Sequence, residues 1–273
     1  LTSKDLFFSP GYNSPLSCPA PFVFTIHDLN HIDRPENSSP LKRIYYATIL
    51  KRACQRAKLI LTVSEFSRGR IIKWAGVSPE KVINVRCGVD SEYHPNVAPY
   101  RLAFPYFLCV SNRKAHKNEF RVVEAFALSG LATEMKLVFT GKPTALLTAY
   151  IERCQLTSKV HFTGLVPDTE FPSLYRSAQA LVFPSLYEGF GLPVLESMAC
   201  GTPVITANTS ALPEVAGDAA LLVDPTSVEE IVAAMKLIVN DSLVRFRLIE
   251  KGLAQAARYS WESTATKVRS LLT

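Results

Sequence analysis

Two glutamates, Glu188 and Glu196, stand eight positions apart around the turn Gly189-Phe190-Gly191-Leu192-Pro193. An apolar run, Ala180-Leu-Val-Phe-Pro184, precedes them, and a helix-compatible run from Leu192 to Ala199 follows. The order strand, glycine turn, helix lets backbone approach a ligand closely, because Gly189 and Gly191 carry no side chain. It also turns the unpaired N–H groups of a helix start towards that ligand, a setting that suits a phosphate. Glu188 falls in the loop at the C-terminal end of the strand. Glu196 falls just over one turn into the helix, where a carboxylate can accept two hydrogen bonds from a vicinal diol such as that of a ribose. Taken alone, the unit fits several nucleotide-binding folds, and Glu196 also reads as a plain surface acid.

The chain around this unit has 273 residues, 48% of them hydrophobic, enough for two lobes with a core each. A charged share of 20% is ordinary for a globular protein and excludes a disordered chain. Cys18, Cys54, Cys87, Cys109, Cys154 and Cys200 form no C-x-x-C pair and read as small hydrophobes of a reducing compartment. No apolar run is long enough to span a bilayer, and the apolar part of the N-terminus is too short for a signal peptide. The net charge of +6 favours anionic partners. No basic–aromatic patch appears, so nucleic acid is not expected among them.

Alternating strands and helices position the glutamate pair. Residues 22–27 read as a buried strand ending in His27-Asp28. Residues 41–58 read as an amphipathic helix with Tyr46, Ala47, Ile49, Leu50, Ala53, Cys54 and Ala57 on one arc. A strand over 59–63 leads to a helix capped by Ser64, and another strand covers 82–86. Pro95, Pro99 and Pro105 break the pattern and mark residues 91–105 as a linker and hinge. A second series follows, with strands at 106–110, 136–140, 159–163, 180–184, 203–206 and 220–223, and closing helices over 226–239, 242–257 and 261–272. Such alternation predicts parallel sheets with helices on both faces and ligands at the strands' C-terminal ends.

The ordered set Thr25-Ile-His27-Asp28-Leu29, Leu61-Thr-Val-Ser-Glu-Phe-Ser-Arg68, Gly88-Val-Asp90, Lys117-Asn118, Gly164-Leu165, Pro184-Ser185, Glu188-x7-Glu196, Gly201-Thr-Pro-Val204 and Pro213-Glu214 resembles the retaining glycosyltransferases of family 4. The resemblance runs over essentially the whole chain. It implies an α/β GT-B fold, two Rossmann-like parallel-sheet lobes facing a cleft. Residues 1–104 would form the acceptor-side lobe with its linker, 105–258 the nucleotide-sugar lobe, and 259–273 a helix crossing back to the first lobe. Only 26 residues precede His27. Against a typical lobe of about 100 to 200 residues, the N-terminal lobe is expected to be incomplete by roughly 70 to 100.

The resemblance also assigns roles. Glu188 would contact hydroxyls of the donor sugar and Glu196 would hold the ribose. Gly189, Phe190, Gly191, Leu192 and Pro193 would lay backbone along sugar and diphosphate. Lys117 would neutralise the diphosphate, and His27 would face the sugar. Gly164, Leu165 and Val166 would lie beside the base. Many relatives carry an arginine five or six positions before the lysine; position 112 is Asn here, and Arg113, one place late, is the substitute candidate. No Asp-x-Asp pair appears, so neither a metal nor another cofactor is expected, the nucleotide-diphosphate sugar being a co-substrate. The implied activity is hexosyl transfer, mannosyl included, to a glycan or lipid-linked acceptor, in the cytoplasm at the inner face of the plasma membrane. Basic residues on 42–58 and at Arg68, Arg70 and Lys73 would rest near acidic headgroups, or form ordinary solvated faces. A non-catalytic donor-binding protein and an epimerase or phosphorylase on the same fold stay open as alternatives.

Overall fold

A computed structural model describes residues 2, 5–15 and 18–273 and divides the chain into two units. The first comprises Leu1–Gly88, Glu188–Phe190 and Tyr259–Thr273; the second comprises Val89–Tyr187 and Gly191–Arg258.

The first unit is built on a four-stranded sheet, β1 (Phe7–Ser9), β2 (Phe22–Thr25), β3 (Leu59–Thr62) and β4 (Val82–Asn84), in that order and all parallel. β1 is only three residues long and carries no alternation that would reveal it in sequence. A short α1 (Asn30–Asp33) follows β2. The expected helix over 41–58 is α2 (Pro40–Tyr45), a π-turn (Tyr46–Leu50) and α3 (Lys51–Arg56). The wider π-turn shifts the helical phase. Tyr46, Leu50, Ala53 and Cys54 are buried, but Ala47, expected on the same arc, is exposed. α4 (Glu65–Ala75) follows β3, with the Ser64 hydroxyl accepting from the Ser67 amide at 3.0 Å. One face of the sheet packs Phe22, Phe24 and Ile60 against Tyr46, Leu50, Cys54 and Ile71. On the other face, Val23 and Leu61 meet Val268, Leu271 and Leu272 of α12 (Trp261–Leu272).

The second unit holds β5 (Tyr106–Cys109), β6 (Lys136–Phe139), β7 (Val160–Phe162), β8 (Ala180–Phe183), β9 (Val204–Ala207) and β10 (Leu221–Val223). They form one parallel sheet in the order β10-β9-β8-β5-β6-β7. The helices are α5 (Glu119–Ser129), α6 (Ala145–Arg153), α7 (Phe171–Arg176), α8 (Leu192–Ala199), α9 (Leu212–Ala216), α10 (Val228–Asn240) and α11 (Ser242–Ala256). Phe107, Cys109, Leu137, Phe139, Val182 and Ile205 share a core with Val122, Phe126, Leu147, Ile231 and Met235 of α5, α6 and α10. The alternate residues Leu108, Val138, Leu181 and Phe183 are just as buried, so both faces are covered, which explains the continuous apolar strands of the sequence.

Residues 89–104, assigned to the first lobe and its linker from the sequence, pack with the second unit. Arg176 Nε donates to Pro95 O at 2.8 Å, the Tyr100 amide donates to Ser177 Oγ at 2.7 Å, and the Tyr93 ring lies 6.0 Å from that of Tyr175. The prolines interrupt regular structure here without detaching the segment. Among the described residues no helix is long and apolar enough to cross a membrane, and the six cysteines are free thiols.

Candidate functional site

The second sheet changes direction between β5 and β8. From β5 the chain runs outward through β6 and β7, then returns to lay β8, β9 and β10 on the other side. Connections leaving two neighbouring strands in opposite directions open a crevice at their C-terminal ends, where parallel α/β sheets bind ligands. The loop after β5 carries Lys117, and the loop after β8 carries Glu188 to Pro193. Lys117 Nζ lies 4.6 Å from the centre of the Phe183 ring, the last residue of β8, so the cation stands at this switch point.

Asn118 shapes the lysine loop. It adopts a left-handed conformation, φ 61° and ψ 29°, which Asn tolerates better than most residues. Its buried amide Nδ2 donates to Pro184 O at 2.9 Å and to Pro225 O at 2.6 Å, while Oδ1 accepts from Arg121 at 2.9 Å. The Leu186 amide donates to His116 O at 2.8 Å. The β5 and β8 loops are thus stitched together on either side of Lys117.

Arg113, expected at the diphosphate, is turned inward instead. Its guanidinium pairs with Glu119, donates to Thr140 O, and donates through Nε to Lys142 O at 2.8 Å. The group also lies 5.4 Å from the Phe139 ring centre and 5.2 Å from that of Phe162. Side-chain exposures of 13% and 7% make Arg113–Glu119 a buried pair. Breaking such a pair costs about 3–5 kcal/mol, which holds the arginine in place as a brace of the loop.

Gly191 opens α8 with φ 115° and ψ 51°, a conformation that excludes ordinary side chains. Pro193 has no amide hydrogen, and the Val194 amide turns back to Gly191 O at 3.0 Å. The amides at the mouth of α8 are therefore those of Gly191 and Leu192, available to an anion with the helix dipole behind them. One turn on, Glu196 is partly exposed and accepts from the Tyr175 hydroxyl at 2.6 Å through Oε2. Burial holds its carboxyl above the ordinary glutamate range, and the tyrosine hydrogen bond opposes that rise.

Glu188, Gly189 and Phe190 group with the first unit. Gly189 O accepts from Ser64 Oγ at 2.7 Å and from Ser67 Oγ at 3.2 Å. A Cβ on Gly189 would lie 2.5 Å from Asp28 Cβ, so only glycine allows this approach. Phe190 is buried with its ring 5.9 Å from that of Tyr259. Burial, together with the neighbouring Glu188 charge, holds the Asp28 carboxyl above its ordinary range, against a hydrogen bond from the Asn30 amide at 2.8 Å. His27 is exposed at the end of β2, its ring edge-on to Tyr12 at 5.8 Å. In the second unit, Gly164 follows β7 with its carbonyl accepting from the Gly141 amide at 2.9 Å; Leu165 is 95% exposed and Val166 is buried.

Sequence reasoning gave no role to Asp28, Asn118 or Tyr175. The first two adjoin His27 and Lys117 in the quoted motifs, and that adjacency was the available signal. Tyr175, far from Glu196 in sequence, carried none. Among the described residues no three His, Cys, Asp or Glu side chains come together as a metal site.

Two parallel α/β lobes, the second with a cation and a helix mouth at its switch point, are the architecture of the GT-B class. Residues 95–255 match the family described as Glycosyl transferases group 1, and residues 5–93 match Glycosyltransferase Family 4. The chain belongs to this family. It is 34% identical over 259 residues to O-antigen chain mannosyltransferase B of Escherichia coli, covering 90% of this chain and 68% of that protein. It is 30% identical to the MMP alpha-(1->4)-mannosyltransferase of Mycolicibacterium hassiacum, covering 90% of this chain and 64% of that one. Among solved structures, WaaG, a glycosyltransferase involved in lipopolysaccharide biosynthesis, superposes with a TM-score of 0.80 at 19% identity, over 97% of this chain and 77% of its own. HepE of Anabaena, in complex with UDP and glucose, superposes with a TM-score of 0.76 at 20% identity, over 93% of this chain and 71% of its own.

Proposed function

We propose that the chain transfers a hexose, mannose in the first instance, from a nucleotide-diphosphate sugar to a glycan or lipid-linked acceptor, with retention of anomeric configuration and without a metal. The observation that carries this reading is the placing of Lys117 and the mouth of α8 at the β5–β8 switch point. Breaking the bond between the anomeric carbon and the diphosphate builds negative charge on the leaving group. A fixed cation and the amides of Gly191 and Leu192 are donors of the kind that stabilise such charge without reorganising. Glu196 accepts from the ribose and Glu188 from the sugar hydroxyls, while Gly164, Leu165 and Val166 flank the base. In a retaining transfer of this kind, the acceptor oxygen attacks from the face the diphosphate leaves, and the diphosphate oxygen takes its proton. Glu188 then orients the sugar and forms no bond to it. Mannosyl transfer is supported by the names of the relatives at 34% and 30% identity.

The test is a labelled panel of GDP-mannose, UDP-glucose and ADP-glucose with a lipid-linked acceptor, reading released nucleoside diphosphate and product configuration. Lys117→Met should cut kcat by about 10²–10³ while leaving the fold intact. A kcat within a few-fold of wild type, or a glycosyl group trapped on Glu188, would overturn the mechanism.

The same proposal includes peripheral contact with an acidic membrane. Leu41 and Ile44 of α2 are 79% and 59% exposed; Lys42 and Arg43 of the same helix are exposed, as are Arg52 and Arg56 of α3 after the π-turn. Apolar and basic side chains on one helical segment suit an anionic interface. Sedimentation with phosphatidylglycerol vesicles, lost in a Leu41→Asp/Ile44→Asp variant and absent with phosphatidylcholine, checks it.

A further inference from the structure

Glu196 is held in an unusual way for a carboxylate near the surface. Oε2 accepts from the Tyr175 hydroxyl at 2.6 Å, and Oε1 has no hydrogen-bond partner among the described residues. Tyr175 is fully buried on α7 and cannot swing away. Thr202 Oγ1 donates to its carbonyl at 2.8 Å, the Tyr93 ring meets its ring edge-on at 6.0 Å, and Phe171 lies against it at 6.3 Å. A rigid phenol therefore fixes one oxygen of a flexible side chain and leaves the other to a ligand.

We propose that Tyr175 is a positioning residue for donor recognition, clamping Oε2 of Glu196 so that Oε1 is presented to the hydroxyls of the nucleotide's ribose and ribonucleotides are chosen over their deoxy forms. The proposal rests on the ribose role of Glu196. A carboxylate is an all-acceptor group, so both its oxygens suit hydroxyl donors only while it is ionised. The Tyr175 hydroxyl favours the ionised form against burial, which disfavours it. The other titratable groups facing Glu196 are Tyr93, from residues 89–104, and Cys200, after α8; Asp168 and Asp90 act on Tyr93, and Arg176 acts on Cys200. Glu196 thus loses its ligand-accepting form as pH falls, and loses it at a higher pH once the phenol is gone.

The experiment measures binding of UDP, GDP and ADP, and of their 2′,3′-dideoxy counterparts, by isothermal titration between pH 5 and 8. Wild type binds the ribo form of its nucleotide at least tenfold tighter than the dideoxy form. Tyr175→Phe weakens the ribo form by about tenfold, the worth of one hydrogen bond to a charged group, and leaves the dideoxy form unchanged. The acid limb of ribonucleotide affinity moves to higher pH in the variant. If Tyr175→Phe does not fold, 3-fluorotyrosine at position 175, a stronger hydrogen-bond donor of nearly the same volume, serves instead: it should move the acid limb of ribonucleotide affinity to lower pH and leave the dideoxy form unchanged. Equal weakening of both nucleotide forms, or an unmoved ratio and acid limb, would overturn the role of Tyr175. A wild type indifferent to the ribose hydroxyls would instead overturn the assignment of Glu196.

Discussion

Replacing Asn118 separates backbone conformation from hydrogen bonding in the lysine loop. In Asn118→Ala, the buried carbonyls of Pro184 and Pro225 lose a shared donor now at 2.9 and 2.6 Å. Each loss costs about 1 kcal/mol or somewhat more. The left-handed backbone at φ 61° adds about 1 kcal/mol for a residue with a Cβ and no local polar compensation. The sum is about 3–4 kcal/mol. Asn118→Gly suffers the first loss without the second, so it should be the more stable by about 1 kcal/mol. Asn118→Asp keeps the shape but aims a carboxylate at two carbonyl oxygens, and should be the worst of the three. Urea unfolding followed by far-UV circular dichroism is the suitable assay, because Trp74 and Trp261 both lie in the first unit. Equal stability of the Ala and Gly variants, or a loss below about 1 kcal/mol in Ala, would refute the reasoning.

Two further outcomes are expected. Gly189→Ala should push the loop off Asp28, where the added Cβ would sit at 2.5 Å, and lower kcat/KM by about 10², the effect of an ångström of misplacement. The double variant with Asp28→Gly should recover part of that loss, and no recovery would mean that the contact is not the cause. Glu196→Gln should raise the melting temperature at pH 7 without nucleotide. Burial lifts the folded-state carboxyl pKa, so its stabilising contribution is complete below the ordinary value of 4.5 and is lost as pH rises through the lifted one. Glutamine escapes that loss, and the two melting curves should converge towards pH 4.5. A gap independent of pH would contradict the burial argument.

The strands of the second unit were legible because both faces of its sheet are buried and their sequences are continuously apolar. The glutamate turn was legible because glycine and proline punctuate it. β1 escaped because three residues carry no period. The exposed Ala47 escaped because a π-turn changes the count of residues per turn, which side-chain pattern alone does not record. Arg113 was misplaced for a different reason: sequence shows the charge but not Glu119, Phe139 and Phe162 waiting for it. Tyr175 and Glu196 meet through tertiary structure only.

The last helix gives the first unit an awkward birth. Its sheet is made early, yet Val268, Leu271 and Leu272, which cover Val23 and Leu61, leave the ribosome only after the whole second unit has been made. At about 5–20 residues per second, the 89–258 stretch takes roughly 10–30 s to synthesise. Over that interval the second unit can close its own core, while the apolar floor of the first stays open to chaperones or to neighbouring nascent chains.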